Sequence, residues 1–426
     1  MSAAPPRPVI YSFGGSSVAD AKGMRRAADL VAGGPPALVV VVSALLGVTD
    51  ELAALAAGRS GREERLSLLR DRHLALLGEL ELHMAEAAEL VSSVEARLDA
   101  LERLIPRVGS PAPPSAHDAI LSTGEDLSAL LLAGAIRASG REASVVDARS
   151  VVRTDARFGA GVPDGDALPG LALRHLAPAM AGGAVPVVQG SVGATASGVT
   201  TTLGRGGGDL TAALLGGALE AEVIHLWTEA SGVLTGAPDS VDDPRPLGEI
   251  DFEEAVELAW AAPEVMHPMA VAWAAAGDVP LRVRHISHPD QPGTLVSGNV
   301  HRGTGIAAVS SRPGVSLIEV RTRPCALPYG FLGRVFDVLG RHRVEVDLVA
   351  TSHASTSFTV DGSVELDAVA ADLAPFAEVE TRDGLTTVTV VGEGLLAEPG
   401  IDALVFWAVE RTPVHLISQA SDVSLS

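Results

Sequence analysis

The sequence predicts an α/β protein: a doubly wound, mainly parallel sheet followed by two ferredoxin-like α+β units. Three observations carry this. Short apolar strands alternate with helical segments from Val9 to Arg284, and polar loops leave the strand ends, as in a parallel sheet covered on both faces. Within that pattern, residues 198–215 run from Val199-Thr200-Thr201-Thr202 through Leu203-Gly204-Arg205-Gly206-Gly207-Gly208-Asp209 into an Ala-rich segment, which reads as extended chain, glycine loop and helix. After about residue 305 the order changes to strand, helix, strand, strand, twice over. Residues 1–298 and 305–426 therefore read as the two domains, with 290–298 as a linker.

Taken in order, 9–13 is a strand, Gly14-Gly15-Ser16-Ser17 a tight loop, and Asp20 opens a helix with Met24, Ala27, Ala28 and Val31 on one face. The apolar run 37–42 is a central strand, and 43–50 is the polar loop that leaves it. Helices fill 50–105, broken at Gly58 to Gly61 and ended by Pro106, and 107–117 is a loop. Residues 120–122 lead into Gly124-Glu125-Asp126 and a helix through Leu131 and Ile136. Further strands fall at 143–146, 186–189, 223–228 and 280–284, with a turn at 229–233 and a helix at 252–261. In the second half, 315–320 is a strand, 331–341 an amphipathic helix, and 344–352 with 355–360 a hairpin-like pair. Segments 386–391, 400–411, 413–418 and 421–425 repeat that order.

The formal net charge of -22 argues against nucleic acid or an anionic membrane as the main partner, because either repels such a surface at long range. A small molecule is the expected partner. No apolar stretch approaches the roughly 18 residues of a membrane span, and residues 1–8 lack the features of a signal peptide, so a cytoplasmic protein is expected. Cys325 is the only cysteine, which excludes an intrachain disulfide and any multi-cysteine metal site. The 12 histidines show no metal-ligand spacing, and no protein metal site is expected. Of the 31 basic residues all but Lys22 are arginine.

Chemically, four glycines within Gly204 to Gly208 let the backbone approach a ligand closely, and the helix start that follows adds partial positive charge, so the loop suits an anion. Arg205 offers a guanidinium fork to a carboxylate or phosphate. Asp209 sits where either a helix N-cap or an ammonium-binding carboxylate would sit.

With these loops laid out, the chain resembles the aspartokinases over almost its whole length. Tyr11-Ser12-Phe13-Gly14-Gly15-Ser16-Ser17-Val18 is similar to their Lys-Phe-Gly-Gly-Thr-Ser-Val. Val42-Ser43-Ala44 with Gly47-Val48-Thr49, and Gly124-Glu125 with Leu127-Ser128-Ala129, resemble their second and third loops, and Thr200 to Asp209 resembles their Thr-Thr-Thr-Leu-Gly-Arg-Gly-Gly-Ser-Asp. Pro292-Gly293-Thr294-Leu295 is similar to the segment that closes their kinase domain. Gly330 to Phe336, Val346-Asp347-Leu348-Val349 and Ile417-Ser418-Gln419 resemble paired ACT domains.

The resemblance implies an amino-acid-kinase-type first domain, ACT-type regulatory units, and transfer of phosphate from ATP with Mg²⁺ to the side-chain carboxylate of L-aspartate. It implies that Arg205 grips a substrate carboxylate, that Asp209 and Glu125 face the amino group, and that Ser43 and Thr49 donate to carboxylate oxygens. It places Gly14, Gly15, Ser16, Gly204, Gly206, Gly207, Thr228, Glu229 and Glu264 on the nucleotide side. An effector amino acid is expected near Asp347 and Ser352, and a homodimer or hetero-oligomer through the ACT units.

On the donor side the sequence departs from that pattern. Ser12 stands at the family's phosphate-bridging lysine, among the catalytic positions with Arg205 and Asp209. Residues 228–239 have lost most of the nucleotide motif, Glu264 replaces a second lysine, and Gly208 replaces a serine. Each change lowers the expected affinity for ATP. Three readings stay open: a phosphotransferase with an altered donor site, a non-catalytic amino-acid-binding regulatory homologue, and an enzyme that uses the aspartate pocket without ATP.

Overall fold

Leu38–Val42 and Val9–Phe13 are buried at every residue, as strands sandwiched between helix layers must be. They form the middle of the sheet in a computed structural model of the chain, which describes residues 7–109, 111–261, 265–298, 300, 303–323, 330–352, 355–395, 397, 399–419 and 423–425. Glu264 and Cys325 lie outside the described residues.

In chain order the elements are β1 (Val9–Phe13), α1 (Ala21–Ala32), β2 (Leu38–Val42), α2 (Val48–Ala56), α3 (Arg62–Glu79), α4 (Met84–Val108), α5 (Pro114–Leu121), α6 (Thr123–Ala138), β3 (Ala143–Val146), β4 (Arg153–Thr154), α7 (Leu168–Ala181), β5 (Val185–Gln189), β6 (Val192–Thr195), β7 (Thr200–Thr202), α8 (Gly207–Ala218), β8 (Val223–Thr228), β9 (Glu249–Ile250), α9 (Phe252–Ala261), α10 (Pro268–Ala276), β10 (Leu281–His285) and β11 (Thr294–Val296). There follow β12 (Ala308–Thr322), α11 (Phe331–Arg341), β13 (Val349–Thr351), β14 (Ser355–Asp361), α12 (Asp367–Leu373), β15 (Ala377–Val391), α13 (Ile401–Ala408) and β16 (Ser424–Leu425).

The chain divides into two compact units, one of Met1–Val233, Pro246–Ala259 and Pro263–Val300, the other of Leu234–Arg245, Trp260–Ala262 and His301–Ser426. In the first, the sheet order is β3-β5-β2-β1-β8-β10-β11-β9. Pairing from β3 to β10 is parallel throughout, and β11 runs antiparallel to β10. A small sheet β4-β6-β7 lies in the same unit. Met24, Ala27, Ala28 and Val31 of α1 are fully buried in its core, and Asp20 caps that helix by accepting from the Gly23 amide at 2.7 Å. In the second unit one antiparallel sheet, β13-β14-β12-β15-β16, carries the ferredoxin-like order β12-α11-β13-β14-α12-β15. Its core gathers Val335, Val338 and Leu339 of α11 against Ile318, Val320, Phe358 and Val360 of the strands.

Several elements differ from the sequence reading. Pro106 does not end α4 but lies in its last turn, and the helix runs on to Val108. Helix α5 occupies much of the expected loop 107–117, with Pro114 in its first turn, where a missing N–H costs nothing. Helices α7 and α10 were unmarked by periodicity, since both are Ala-rich and carry prolines. The expected linker 290–298 contributes β11, anchored by buried Thr294, whose Oγ1 donates to the Leu247 carbonyl at 2.5 Å and accepts from the Val233 amide at 2.8 Å. Segment 413–418, expected as a strand, pairs with none of the described strands. Residues 234–245 group with the second unit, where the Val309 amide donates to the Thr235 carbonyl at 2.9 Å. One stretch, Pro114–Ala138, is long and apolar enough to cross a membrane by length and composition, contrary to the sequence expectation. Of its most apolar 18-residue window 83% is buried inside the protein, as in a core segment.

Candidate functional site

In the first unit's sheet β2 lies on one side of β1 and β8 on the other, so chain direction across the sheet switches at β1, the place where ligands bind beyond the carboxyl ends of such strands. The loops after β1, β2, β5 and β8 start there, at Gly14, Ser43, Gly190 and Glu229. They are drawn together by backbone bonds. The Ser43 amide donates to the Phe13 carbonyl at 3.1 Å, Leu46 to Gly15 at 3.1 Å, and Gly190 to Val42 at 2.8 Å. A Cβ on Gly15 would stand 2.6 Å from the Ala44 carbonyl oxygen, so the first two loops touch only because that residue is glycine.

The glycine loop between β7 and α8 is held from below. Gly206 has φ +71° and caps α8 without a side chain, and a Cβ on Gly207 would lie 2.9 Å from the Ser191 Cα. Ser191 clamps the loop: its Oγ donates to the Gly204 carbonyl at 2.9 Å and its amide to the Gly207 carbonyl at 3.1 Å. Among the described residues no hydrogen bond uses the amides of Gly15, Ser16 or Gly206. These amides and the start of α8 fit the oxygens of a phosphate chain.

Ser12, 1% exposed, donates from Oγ to Asp209 Oδ1 at 2.9 Å. Burial pushes the Asp209 carboxyl up to about 6, and the Ser12 hydroxyl only partly offsets this. Glu125, in the first turn of α6, is pushed up to about 7 by burial, while bonds from its own amide and that of Ala44 pull it down, nearby Asp126 raises it and Arg149 lowers it. Among the described residues neither carboxylate has an ion-pair partner. Ser43 is half-buried beside the loop, and a Cβ on Gly208 would meet its Oγ at 2.3 Å, so glycine at 208 leaves that hydroxyl its room.

The remaining expected residues are placed as follows. Thr49 is exposed in the first turn of α2. The Arg205 side chain is 96% exposed and reaches only Asp50, at 3.6 Å, rather than Glu125 or Asp209. Gly14 and Gly15 are half-buried and Ser16 is exposed, while Thr228 ends β8 and Glu229 is exposed in the turn after it. Lys22 is exposed in the first turn of α1, with no hydrogen bond or ion pair among the described residues. In the second unit Asp347 pairs with Arg312, and Ser352 Oγ lies 2.9 Å from Ser355 Oγ.

Three contributors escaped the sequence reading. Ser191 is one. His267, at the start of α10, lies under the loop, where a Cβ on Gly206 would be 2.5 Å from its Cδ2. Burial lowers its pKa, and a hydrogen bond to the Arg205 backbone works the other way. Arg149 is the third: it holds Asp126 in a fork at 2.9 and 3.1 Å, and also bonds Ser122 Oγ at 2.8 Å and Thr200 Oγ1 at 3.0 Å. Gln189 Nε2 donates to the same Asp126 at 3.1 Å. The network fixes the first turn of α6, and with it Glu125, against β5 and β7. No short motif announces it, because its members lie as far as 78 residues apart, from Ser122 to Thr200.

Comparison with known proteins identifies the family. The pattern of the amino acid kinase family matches residues 7–285. Lysine-sensitive aspartokinase 3 of Escherichia coli (strain K12) is 34% identical over 96% of this chain and 92% of its own length. Chloroplastic aspartokinase 1 of Arabidopsis thaliana is 30% identical over 98% of this chain and 76% of its own. Among solved structures, E. coli aspartokinase III in complex with aspartate and ADP matches with a TM-score of 0.91 at 33% identity, covering 98% of this chain and 95% of that one. With its doubly wound sheet, its glycine loop between β7 and α8 and its ferredoxin-like second unit, the chain belongs to the amino acid kinase family and, within it, to the aspartokinases.

Proposed function

We propose that this chain binds L-aspartate or a close analogue and phosphorylates its side-chain carboxylate through an altered donor site. The observation that carries the reading is the pair of desolvated carboxylates, Asp209 and Glu125, with no cation paired to either among the described residues. Such a pair suits a substrate ammonium, and exposed Arg205 is free to turn its fork onto a substrate carboxylate. Ser43 and Thr49 supply hydroxyl donors to the same ligand. ATP with Mg²⁺ supplies the transferable phosphoryl group, and the metal offsets phosphate charge. On the protein side Gly14, Gly15, Ser16, Gly204, Gly206, Gly207, Thr228 and Glu229 would hold the nucleotide, with neutral Ser12 where the related enzymes carry a cation. Incubation with aspartate, ATP, Mg²⁺ and hydroxylamine tests the reading: it expects an aspartyl hydroxamate that depends on ATP.

A second reading, a non-catalytic regulatory homologue, is favoured by the Ser12–Asp209 bond, which places no positive charge beside the acceptor. It expects aspartate binding without hydroxamate. Consumption of aspartate in the absence of nucleotide would instead support an enzyme that reuses the pocket. The proposal extends to a cytoplasmic setting, to an effector amino acid near Asp347 and Ser352, and to a homodimer or hetero-oligomer assembled through the second unit. Light scattering at micromolar concentration tests the last point.

A further inference from the structure

Ser12 faces α8, so its neighbours Tyr11 and Phe13 point to the other face of the sheet, into the core shared with α1. On that face register places Tyr11 beside His225, His225 beside Arg282, and Trp227 between Phe13 and Arg284. Three buried nitrogens there have no hydrogen-bond partner among the described residues: His225 Nδ1, Trp227 Nε1 and Arg284 Nε. The groups are packed against one another. Arg284 Cζ lies 4.7 Å from the centre of the Trp227 ring, and the His225 ring is stacked beside Trp227 with centroids 5.9 Å apart. Tyr11 closes the cluster edge-on, 5.2 Å from His225 and 5.6 Å from Trp227.

An indole N–H and a guanidinium Nε–H can only donate, so whatever satisfies them must be an acceptor. Left unmet, such buried groups are costly, and Trp227 is only 2% exposed. Arg284 donates its other end to the Pro289 carbonyl and Arg282 donates to the Pro292 carbonyl at 3.0 Å. Neither guanidinium forms an ion pair among the described residues; both are half-buried, and the carboxylate that acts on Arg284 is that of Asp290, beyond ion-pair distance. Burial and these two arginines hold His225 down to about 4, which keeps its ring neutral at pH 7 and able to present Nδ1–H. Water satisfies such donors singly; an oxyanion satisfies several at once and is also drawn by the two guanidinium charges.

We propose that Arg284, His225 and Trp227 form a binding site for a small oxyanion of the size of inorganic phosphate, on the opposite face of the sheet from the amino-acid pocket. The site lies behind the first glycine loop, because the Trp227 carbonyl accepts from Ser17 Oγ at 2.9 Å. It does not depend on which reaction the amino-acid pocket performs.

The test is calorimetric titration of the full chain with inorganic phosphate, in the parent and in Arg284→Gln, Trp227→Phe and Arg205→Ala. Binding is expected in the parent, to be weaker by about tenfold or more in Arg284→Gln and by about threefold to tenfold in Trp227→Phe, and to be unchanged in Arg205→Ala. Trp227→Phe keeps the ring packing and removes only the N–H, so it remains informative if Arg284→Gln does not fold. No binding in the parent overturns the proposal. So does binding that survives Arg284→Gln and Trp227→Phe, and binding that Arg205→Ala abolishes, which would assign the phosphate to the glycine loop.

Discussion

Ser12 Oγ and Asp209 Oδ1, 197 residues apart in sequence, meet at 2.9 Å and tie the middle strand of the sheet to the first turn of α8. A neutral hydroxyl is thereby spent on the carboxylate that burial has pushed up to about 6. The bond favours the ionised form of Asp209, the form an ammonium needs, and it supplies no charge for a phosphoryl group.

Removing that hydroxyl should therefore change pH dependence before it changes anything else. In the parent, aspartate binding should strengthen as pH rises through about 6, where Asp209 ionises. Ser12→Ala should move this midpoint to higher pH and leave affinity at pH 8 within a fewfold of the parent. Calorimetric titration with aspartate across pH 5 to 8 checks it, and an unmoved midpoint would remove Asp209 from the ammonium site.

Glu125 supplies a stability signature of definite sign. Its carboxyl is raised from 4.5 to about 7 in the fold, so the folded chain holds a proton that the unfolded chain releases. The stabilisation is complete below about 4.5 and is lost as pH rises through about 7, roughly 3 kcal/mol over the whole interval. Asp209 acts in the same direction through about 6. Glu125→Gln should flatten the fall of Tm between pH 5 and 7 in thermal melts. A slope identical to the parent's would mean that Glu125 is already ionised at pH 5.

The loops at the strand ends were legible because glycine, serine and aspartate there have few other uses. Gly14-Gly15, Gly204 to Gly208 and Glu125 fall where they were expected. What supports them was not legible. Ser191, His267 and Arg149 act through contacts whose partners lie far away in sequence, and a lone serine or histidine carries no local sign of them. Helices α7 and α10 escaped for a related physical reason: Ala-rich stretches with proline lack the polar and apolar faces that mark a helix at a surface. Strand β11 was hidden by the turn residues around it, since Gln291-Pro292-Gly293 reads as linker until Thr294 is seen to be buried.

Arg205 should separate binding from folding. Its side chain is 96% exposed and its one ion pair among the described residues, with Asp50, is at 3.6 Å, so Arg205→Ala should leave Tm nearly unchanged. Loss of a charge-assisted bond to the substrate should weaken aspartate binding by about 10- to 100-fold. Equal affinity in variant and parent would show that the fork never closes on the ligand.

Arg149 should behave in the opposite way. Asp126, with its side chain only 4% exposed, keeps Arg97 at 3.7 Å and the Gln189 amide when that fork is cut but loses its two close charged bonds, a loss of up to about 3 to 5 kcal/mol. Arg149→Met should lower Tm by several degrees, and Asp126→Leu added to it should recover part of the loss. A double variant no better than the single one would place the cost in the bonds to Ser122 and Thr200 instead.

The last prediction concerns the single lysine. With Ser12 neutral, positive charge for phosphoryl transfer must come from Arg205, the start of α8, Mg²⁺ or Lys22, and a lysine moved along the chain is the simplest replacement for a lost one. The geometry speaks against it. Lys22 is exposed in the first turn of α1, and that turn is fixed by Asp20, whose carboxylate holds the Gly23 amide at 2.7 Å, while the Gly23 position abuts the Ser17 carbonyl, where a Cβ would stand at 2.5 Å. The helix start cannot rotate to swing the side chain inward without breaking both contacts. Hydroxamate formation in Lys22→Ala should therefore stay within about twofold of the parent, against a loss of roughly 10² or more for a preorganised catalytic charge. A fall of that size would assign the missing cation to Lys22. Unchanged turnover would leave Arg205, the α8 terminus and the metal as the charge source, and Arg205→Ala, assayed at saturating aspartate, would then tell the side chain from the other two.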